Sequence, residues 1–208
     1  METTSILNQS LAAIVCATLF VCTSYLVNRK LARPVFTVDL YLALLYATTV
    51  FLLAITAEVI VNTIYHYFVG EKLWVYHVMP VYHQDVSLLA PLLWSAYGIH
   101  LYFVEQTYQY RLPRLMKHKN ASALLHGLDA PLIFETSGNL IFLLIAGSYY
   151  AYYIPGDLFH LTSVRVIPLY MLCIFLGLVI LRWLENQSRH WSIPAGIFSL
   201  GMGILYIA

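Results

Sequence analysis

Six apolar runs, the shortest about 17 residues long, divide this 208-residue chain. A helix of that length crosses the hydrocarbon of a bilayer, where no water satisfies backbone N–H and C=O groups. Unbroken runs of this kind select helices, whose hydrogen bonds close within one segment. The runs are Ile6–Asn28, Phe36–Phe68, Val86–Tyr108, Pro131–Ile154, Val164–Leu184 and Ser192–Ala208. The second is too long for one perpendicular crossing and is expected to tilt or to continue past the bilayer. Only 10% of residues are charged, against about 25% in ordinary globular domains. The expected fold is an all-α integral membrane protein: a bundle of about six transmembrane helices forming one polytopic domain, residues 1–208.

Charge sets the expected orientation. Arg29, Lys30 and Arg33 fall in the first connection, Arg111, Arg114, Lys117 and Lys119 in the third, and Arg182 and Arg189 in the fifth. These are nine of the eleven basic residues, leaving Lys72 and Arg165 for the opposite face. The basic face is expected to be cytoplasmic and both termini non-cytoplasmic. Met1 to Gln9 lack Lys and Arg, so the first run is expected to be a retained helix, not a cleaved signal. The glycosylation match Asn120-Ala121-Ser122 then lies on the side where it is not used. A multi-pass protein of a cell inner membrane or an endomembrane follows. Its partners are membrane lipids, and a net charge of +1 gives no reason to expect nucleic acid.

Cys16, Cys22 and Cys173 all fall in apolar runs, which suits small packing residues better than a disulfide framework. The chain shows no linker and no internal repeat by eye. Ala195, Ser199 and Gly203 form a small-residue row on the last run. Such a row serves close helix contact, within the chain first, or in a homo-oligomer or complex.

Glu58 lies inside one of the most apolar stretches, and Asn62 and His66 follow at helical i+4 and i+8 on the same face. No Lys or Arg falls in the centre of any run, so an ordinary salt bridge is not available to Glu58. Desolvation disfavours a carboxylate there, and a neutral acid is a proton donor. An interhelical hydrogen bond alone contributes only about 0.6–2 kcal/mol, a weak reason to bury an acid. His100 lies deep in the third run after Trp94 and Tyr97, and Glu135 with Asn139 enters the fourth within its first two turns. If runs two, three and four pack together, Glu58, Asn62, His100, Glu135 and Asn139 are expected to line one cavity walled by Trp94 and Tyr97. His100 or Glu135 would accept a proton in return.

The outer connection after run two holds His77, His83 and Asp85, with His66 just before it. Imidazole and carboxylate suit a single metal ion, although the spacing lacks the paired histidines of membrane oxygenases. The alternative is an aromatic belt whose polar tips meet water, and Tyr149, Tyr150, Tyr152 and Tyr153 are expected to belong to one. The reading that follows is a membrane enzyme using buried carboxyl and histidine groups on an isoprenoid, sterol or fatty chain, in a cyclisation or isomerisation. The residues do not fix a cofactor for it: the options are none, or one metal ion at the outer histidines. The alternatives are a membrane oxidase, oxygenase or complex subunit with one metal at the outer histidines, and a small proton-coupled transporter.

Overall fold

The computed structural model describes residues 2–207, with the side chains of residues 2–4, 119 and 120 excepted. The side chains of Lys119 and Asn120, and Ala208 at the end of the sixth run, lie outside the described residues. About 75% of the chain is helical. The helices are α1 (Glu2–Leu31), α2 (Leu40–Val69), α3 (Ala90–Arg111), the single turn α4 (Pro113–Met116), α5 (Lys119–Asp129), α6 (Thr136–Ala146), α7 (Ile167–Glu185) and α8 (Ser192–Ile207). A π-helical segment, Ala130–Glu135, fuses α5 to α6. Four helical stretches are long and apolar enough to cross a membrane: Ser5–Leu31, Leu40–Val69, Ala121–Ala146 and Val164–Glu185. The more polar α3 is enclosed between α1 and α2, so its Trp94, Tyr97, His100 and Glu105 are buried within the protein.

Two expectations about boundaries are corrected. The fourth run does not begin at Pro131 but at Lys119, and it ends at Ala146, well before Ile154. Pro131 sits inside the helix because the π segment relaxes the hydrogen-bond ladder around it, and the Thr136 hydroxyl donates to the Pro131 carbonyl at 3.0 Å. Gly147, in the left-handed region at φ 68°, stops the helix. The tyrosines beyond it form no simple belt. Ala151–Tyr153 is a strand, β4, and Tyr153 is buried. The small-residue row of α8 is corrected too. Ala195, Ser199 and Gly203 are exposed, and α8 packs on α2 through Gly201 against Phe51.

The ends of α2 and α6 meet under a β cap. Strand β1 (Trp74–Tyr76) pairs antiparallel with β4 in the register Trp74↔Tyr153, Val75↔Tyr152, Tyr76↔Ala151. A second small pair, β2 (Pro80–Val81) with β3 (Val86–Ser87), lies alongside.

This cap exposes an internal duplication. Glu58, Asn62, Gly70, Tyr76 and Pro91 recur 77 positions later as Glu135, Asn139, Gly147, Tyr153 and Pro168. The geometry recurs with them. Gly70 (φ 85°) and Gly147 (φ 68°) are both left-handed C-caps. Pro91 and Pro168 both sit in first helical turns. Tyr82-His83 and Phe159-His160, also 77 apart, all have positive φ. Helix α3 begins at residue 90 and α7 at 167. The central strand pair, Val75 with Tyr152, joins equivalent residues, the mark of a pseudo-two-fold axis. The molecule is therefore built on two copies of a helix–cap–helix unit, with α1 and α8 added.

Candidate functional site

The duplicated unit explains the polar residues inside the helices. In the first copy, the Asn62 carboxamide clamps the cap onto α2: its Oδ1 accepts from the Leu73 N–H at 2.9 Å, and its Nδ2 donates to the Trp74 carbonyl at 2.9 Å and to Asp85 at 2.5 Å. In the second, Asn139 Oδ1 accepts from the Tyr150 and Ala151 N–H groups at 2.8 and 3.1 Å. Its Nδ2 donates to the Ala151 and Leu161 carbonyls at 2.9 and 2.6 Å. Both asparagines thus satisfy strand groups that would otherwise be buried without partners. They hold the site; they do not line its cavity.

One turn earlier on each helix stands the acid. Glu58, only 5% exposed, accepts on Oε1 from the Tyr76 hydroxyl and from the Trp94 indole N–H at 3.0 Å. Its Oε2 is buried with no partner. Glu135 accepts on Oε1 from the Tyr153 and Tyr170 hydroxyls, and on Oε2 from Thr162 at 2.6 Å. The twin acids therefore differ: Glu135 is fully engaged by hydroxyl donors, and Glu58 has one oxygen free. Burial pushes the Tyr76 and Tyr153 phenols well above their ordinary range, with the adjacent glutamates adding to the effect. Both tyrosines remain hydroxyl donors across the physiological range.

Glu58 lines a narrow, partly open slot with a cavity volume of about 80 Å³. Its walls are Val50, Leu53, Ala54 and Ala57 of α2, Leu169, Ile174, Gly177 and Leu181 of α7, and Trp94, Tyr97 and Leu101 of α3. Trp74, Tyr76 and Tyr153 roof it, and Tyr170 stands at the same end. The Glu58 carboxyl and the Tyr76, Tyr153 and Tyr170 hydroxyls thus gather at the cap end of a mostly apolar slot, while the Tyr97 hydroxyl donates away from them to the His126 carbonyl at 3.3 Å. That is the layout expected for holding a lipophilic molecule by its body and acting on one end.

The structure distributes the five residues expected to share one cavity among three places. Glu58 faces the slot. Glu135 reaches it only through Tyr153 and Tyr170, and borders a smaller space between α1, α3 and α6. It lies level with Glu58, because α5 starts twelve residues before Pro131. His100 belongs elsewhere. Its Nδ1 lies 2.8 Å from Ser24 Oγ and its Nε2 2.6 Å from Asp129 Oδ2, in a buried chain near the basic end. A neighbouring chain joins His126 Nε2 to Glu105 at 2.8 Å, with Arg182 beside it. Asp129 and His126 are partners that the run boundaries concealed, whereas Ser24 lies within the first run.

The outer residues considered for a metal do not converge. Among the described residues, no three His, Cys, Asp or Glu side chains come together in a metal-holding arrangement. His77 stacks flat on Tyr152, with ring centroids 5.4 Å apart. Asp85 pairs with Lys72 at 2.8 Å and also receives Asn62, both on Oδ1, so that oxygen is committed to the cap. His66 and His83 are exposed at separate points of the α2 end and the following turn. Cap formation consumes the ligands that the metal reading needed.

Tyr76, Tyr153 and Tyr170, the residues that complete the site, were not singled out beforehand as its members. A signal for the first two exists in the chain, since each follows its glutamate by 18 positions. No protein family, curated protein or solved structure matches this chain.

Proposed function

We propose that this protein is an integral-membrane enzyme that moves protons on a lipophilic substrate, by isomerising a double bond or cyclising an isoprenoid, sterol or fatty chain. The observation that carries the reading is a buried carboxyl, with one oxygen unpartnered, on a residue that lines the polar end of an apolar slot. In this mechanism Glu58, which has no basic partner, donates its proton to a substrate double bond. Trp94 and Tyr97, whose rings face the slot, steady the resulting cation. The cation loses a proton from a neighbouring carbon to the Tyr153/Tyr170 hydroxyl pair, which passes one on to Glu135. Glu135 then releases its proton to water and Glu58 takes one up from it, which restores the resting state with no net proton consumed. His100, tied to Ser24 and Asp129, takes no part.

The same reading makes the protein a single multi-pass domain with six crossings and both termini non-cytoplasmic. Two contacts support it. The paired strands β1 and β4 bring the ends of α2 and α6 to one side, so α3 must run the full length back. At the other end, Arg111 donates to the Leu31 carbonyl at 2.8 Å and Arg189 to Asp39 at 2.6 Å, gathering the three basic connections. Partners are membrane lipids and the substrate, and the exposed row Ala195, Ser199, Gly203 is where α8 would meet a second subunit.

The test incubates membranes containing the native protein or Glu58→Gln with an apolar lipid extract of cells lacking it, in ordinary water and in D₂O. The native protein is expected to generate a product carrying one solvent-derived deuteron. Glu58→Gln, at equal expression, is expected to reduce its formation by about 100-fold or more. A product without deuterium, or full activity in the variant, overturns the mechanism. The second reading, a proton-coupled carrier, gains from the duplication, since parallel repeats are a common plan for carriers. It requires proton or substrate flux in sealed vesicles containing the purified protein.

A further inference from the structure

The basic end of the molecule carries its positive charge unevenly. In the last of its three connections the charge is answered: Arg182 reaches Glu105 at 3.5 Å and Arg189 reaches Asp39 at 2.6 Å. In the other two it is not. No Asp or Glu falls between Glu2 and Asp39, or between Glu105 and Asp129. Arg29, Lys30, Arg33, Arg111, Arg114 and Lys117 are exposed, and none forms an ion pair among the described residues. The nearest acids are engaged elsewhere: Asp39 with Arg189, Glu105 with His126 and Asp129 with His100. Glu185 lies one turn from Arg182 on α7.

The fold brings these six charges to one corner. Arg111, in the last turn of α3, donates from Nε to the Leu31 carbonyl at 2.8 Å and ties the end of α3 to the end of α1. Arg29 and Lys30 occupy the last turn of α1, and Arg33 the turn that follows. Arg114 and Lys117 come directly after Arg111, in and just beyond the single turn α4, which its buried Met116 anchors. Cations suit helix C-termini, which accounts for Arg29, Lys30 and Arg111. Arg33 lies beyond its helix, and one turn offers little dipole to Arg114 or Lys117. Like charges gathered in this way repel one another unless an anion joins them.

The same corner has an apolar edge. Leu26, Leu31, Leu112 and Leu115 are 40–63% exposed, and the first two belong to the membrane-length stretch Ser5–Leu31. A soluble anion would use the charges and leave these leucines uncovered. A phospholipid uses both, with its phosphate among the cations and its acyl chains along α1.

We infer that the corner formed by the end of α1, the end of α3 and α4 is a binding site for an anionic phospholipid of the surrounding membrane. The inference rests on the membrane reading of the chain and not on the acid chemistry at Glu58. Each Lys or Arg near such a headgroup is worth about five-fold in affinity at low salt, and less as screening rises. A zwitterionic lipid, which carries its own cation, gains much less.

Equilibrium titration of the purified protein in a nonionic detergent tests this, with phosphatidylglycerol and phosphatidylcholine labelled on the tail. The native protein is expected to bind the anionic lipid about ten-fold more tightly or better. A variant combining Lys30→Gln, Arg33→Gln, Arg114→Gln and Lys117→Gln changes only exposed side chains. It is expected to weaken phosphatidylglycerol about ten-fold or more and to leave phosphatidylcholine unchanged. Arg165→Gln, at the opposite end, is expected to change neither. Glycerophosphate, a headgroup without tails, is expected not to compete at the concentrations at which the lipid binds. Equal affinity of the native protein for the two lipids overturns the inference whether or not the variants fold, as does an unchanged preference in the combined variant. Competition by glycerophosphate as strong as by the lipid itself would show a site for free anions and overturn the lipid assignment. Glu58→Gln is expected to bind normally, so failure of the acid chemistry and failure of the lipid site give different results.

Discussion

Glu58 and Glu135 stand at equivalent positions and differ only in what surrounds them. Three hydroxyls converge on Glu135, whereas Glu58 receives a phenol and an indole on one oxygen and nothing on the other. A donor-rich shell suits a group that accepts protons, and an unpartnered oxygen beside a cavity suits one that gives them. The two asparagines are a stricter pair, since both do the same job. Replacing Asn62 with Ala removes the partner of the Leu73 N–H and of the Trp74 carbonyl, and replacing Asn139 removes that of the Tyr150 and Ala151 N–H groups and of the Ala151 and Leu161 carbonyls. At roughly 1–3 kcal/mol per unsatisfied group, Asn62→Ala is expected to cost about 2–6 kcal/mol and Asn139→Ala at least as much. Thermal unfolding in detergent checks this, and near-native midpoints in both variants would show that the clamps are dispensable.

The same economy of means recurs at the level of helices and strands. Each repeat stops its helix with a left-handed glycine, extends into a short strand and restarts with a proline in the first turn. Only the first repeat has a strong start signal. Asp39 caps α2, accepting from the Leu42 N–H at 3.1 Å, and reaches Arg189 beyond. The Leu42 amide, and secondarily Arg189, hold its carboxyl below the ordinary value of 3.8. A carboxyl depressed in the folded state contributes stability that is complete above its unfolded value and is lost as pH falls through the folded one. Asp39→Ala is therefore expected to cost about 1 kcal/mol at neutral pH, as caps do. In unfolding scans the gap from the native protein should close below about pH 4. Arg189→Ala removes an exposed pair and should cost less, about 0–1 kcal/mol.

At the scale of the whole molecule, the proposed six crossings would place the three basic connections on one side of the membrane and the β cap on the other. Cysteine labelling tests that arrangement in a background with Cys16, Cys22 and Cys173 changed to Ala. Glu71→Cys, beside the cap, should react with a membrane-impermeant maleimide in intact cells. Ser188→Cys, beside Arg189, should react only after the membrane is breached. The reverse pattern, or equal labelling of both, would refute the orientation.

The helical class of this chain and the placing of Glu58 among apolar residues were legible in the amino-acid order, because apolar run length and a lone acid within such a run are local properties. The positions of the other groups were not. Pro131 looks like a helix start, and taking it as one moved Glu135 to the wrong level and set Asp129, the partner of His100, outside the bundle. The repeat is thinly spread, a few matched residues among freely exchanged apolar ones, so only the paired strands make it evident. Composition and periodicity determined that the chain forms apolar helices and buries carboxyls among them. The tertiary structure alone decided which acid faces a void, because hydrogen-bond partners come from strands and helices far apart in the chain and a cavity exists only where those elements fail to meet.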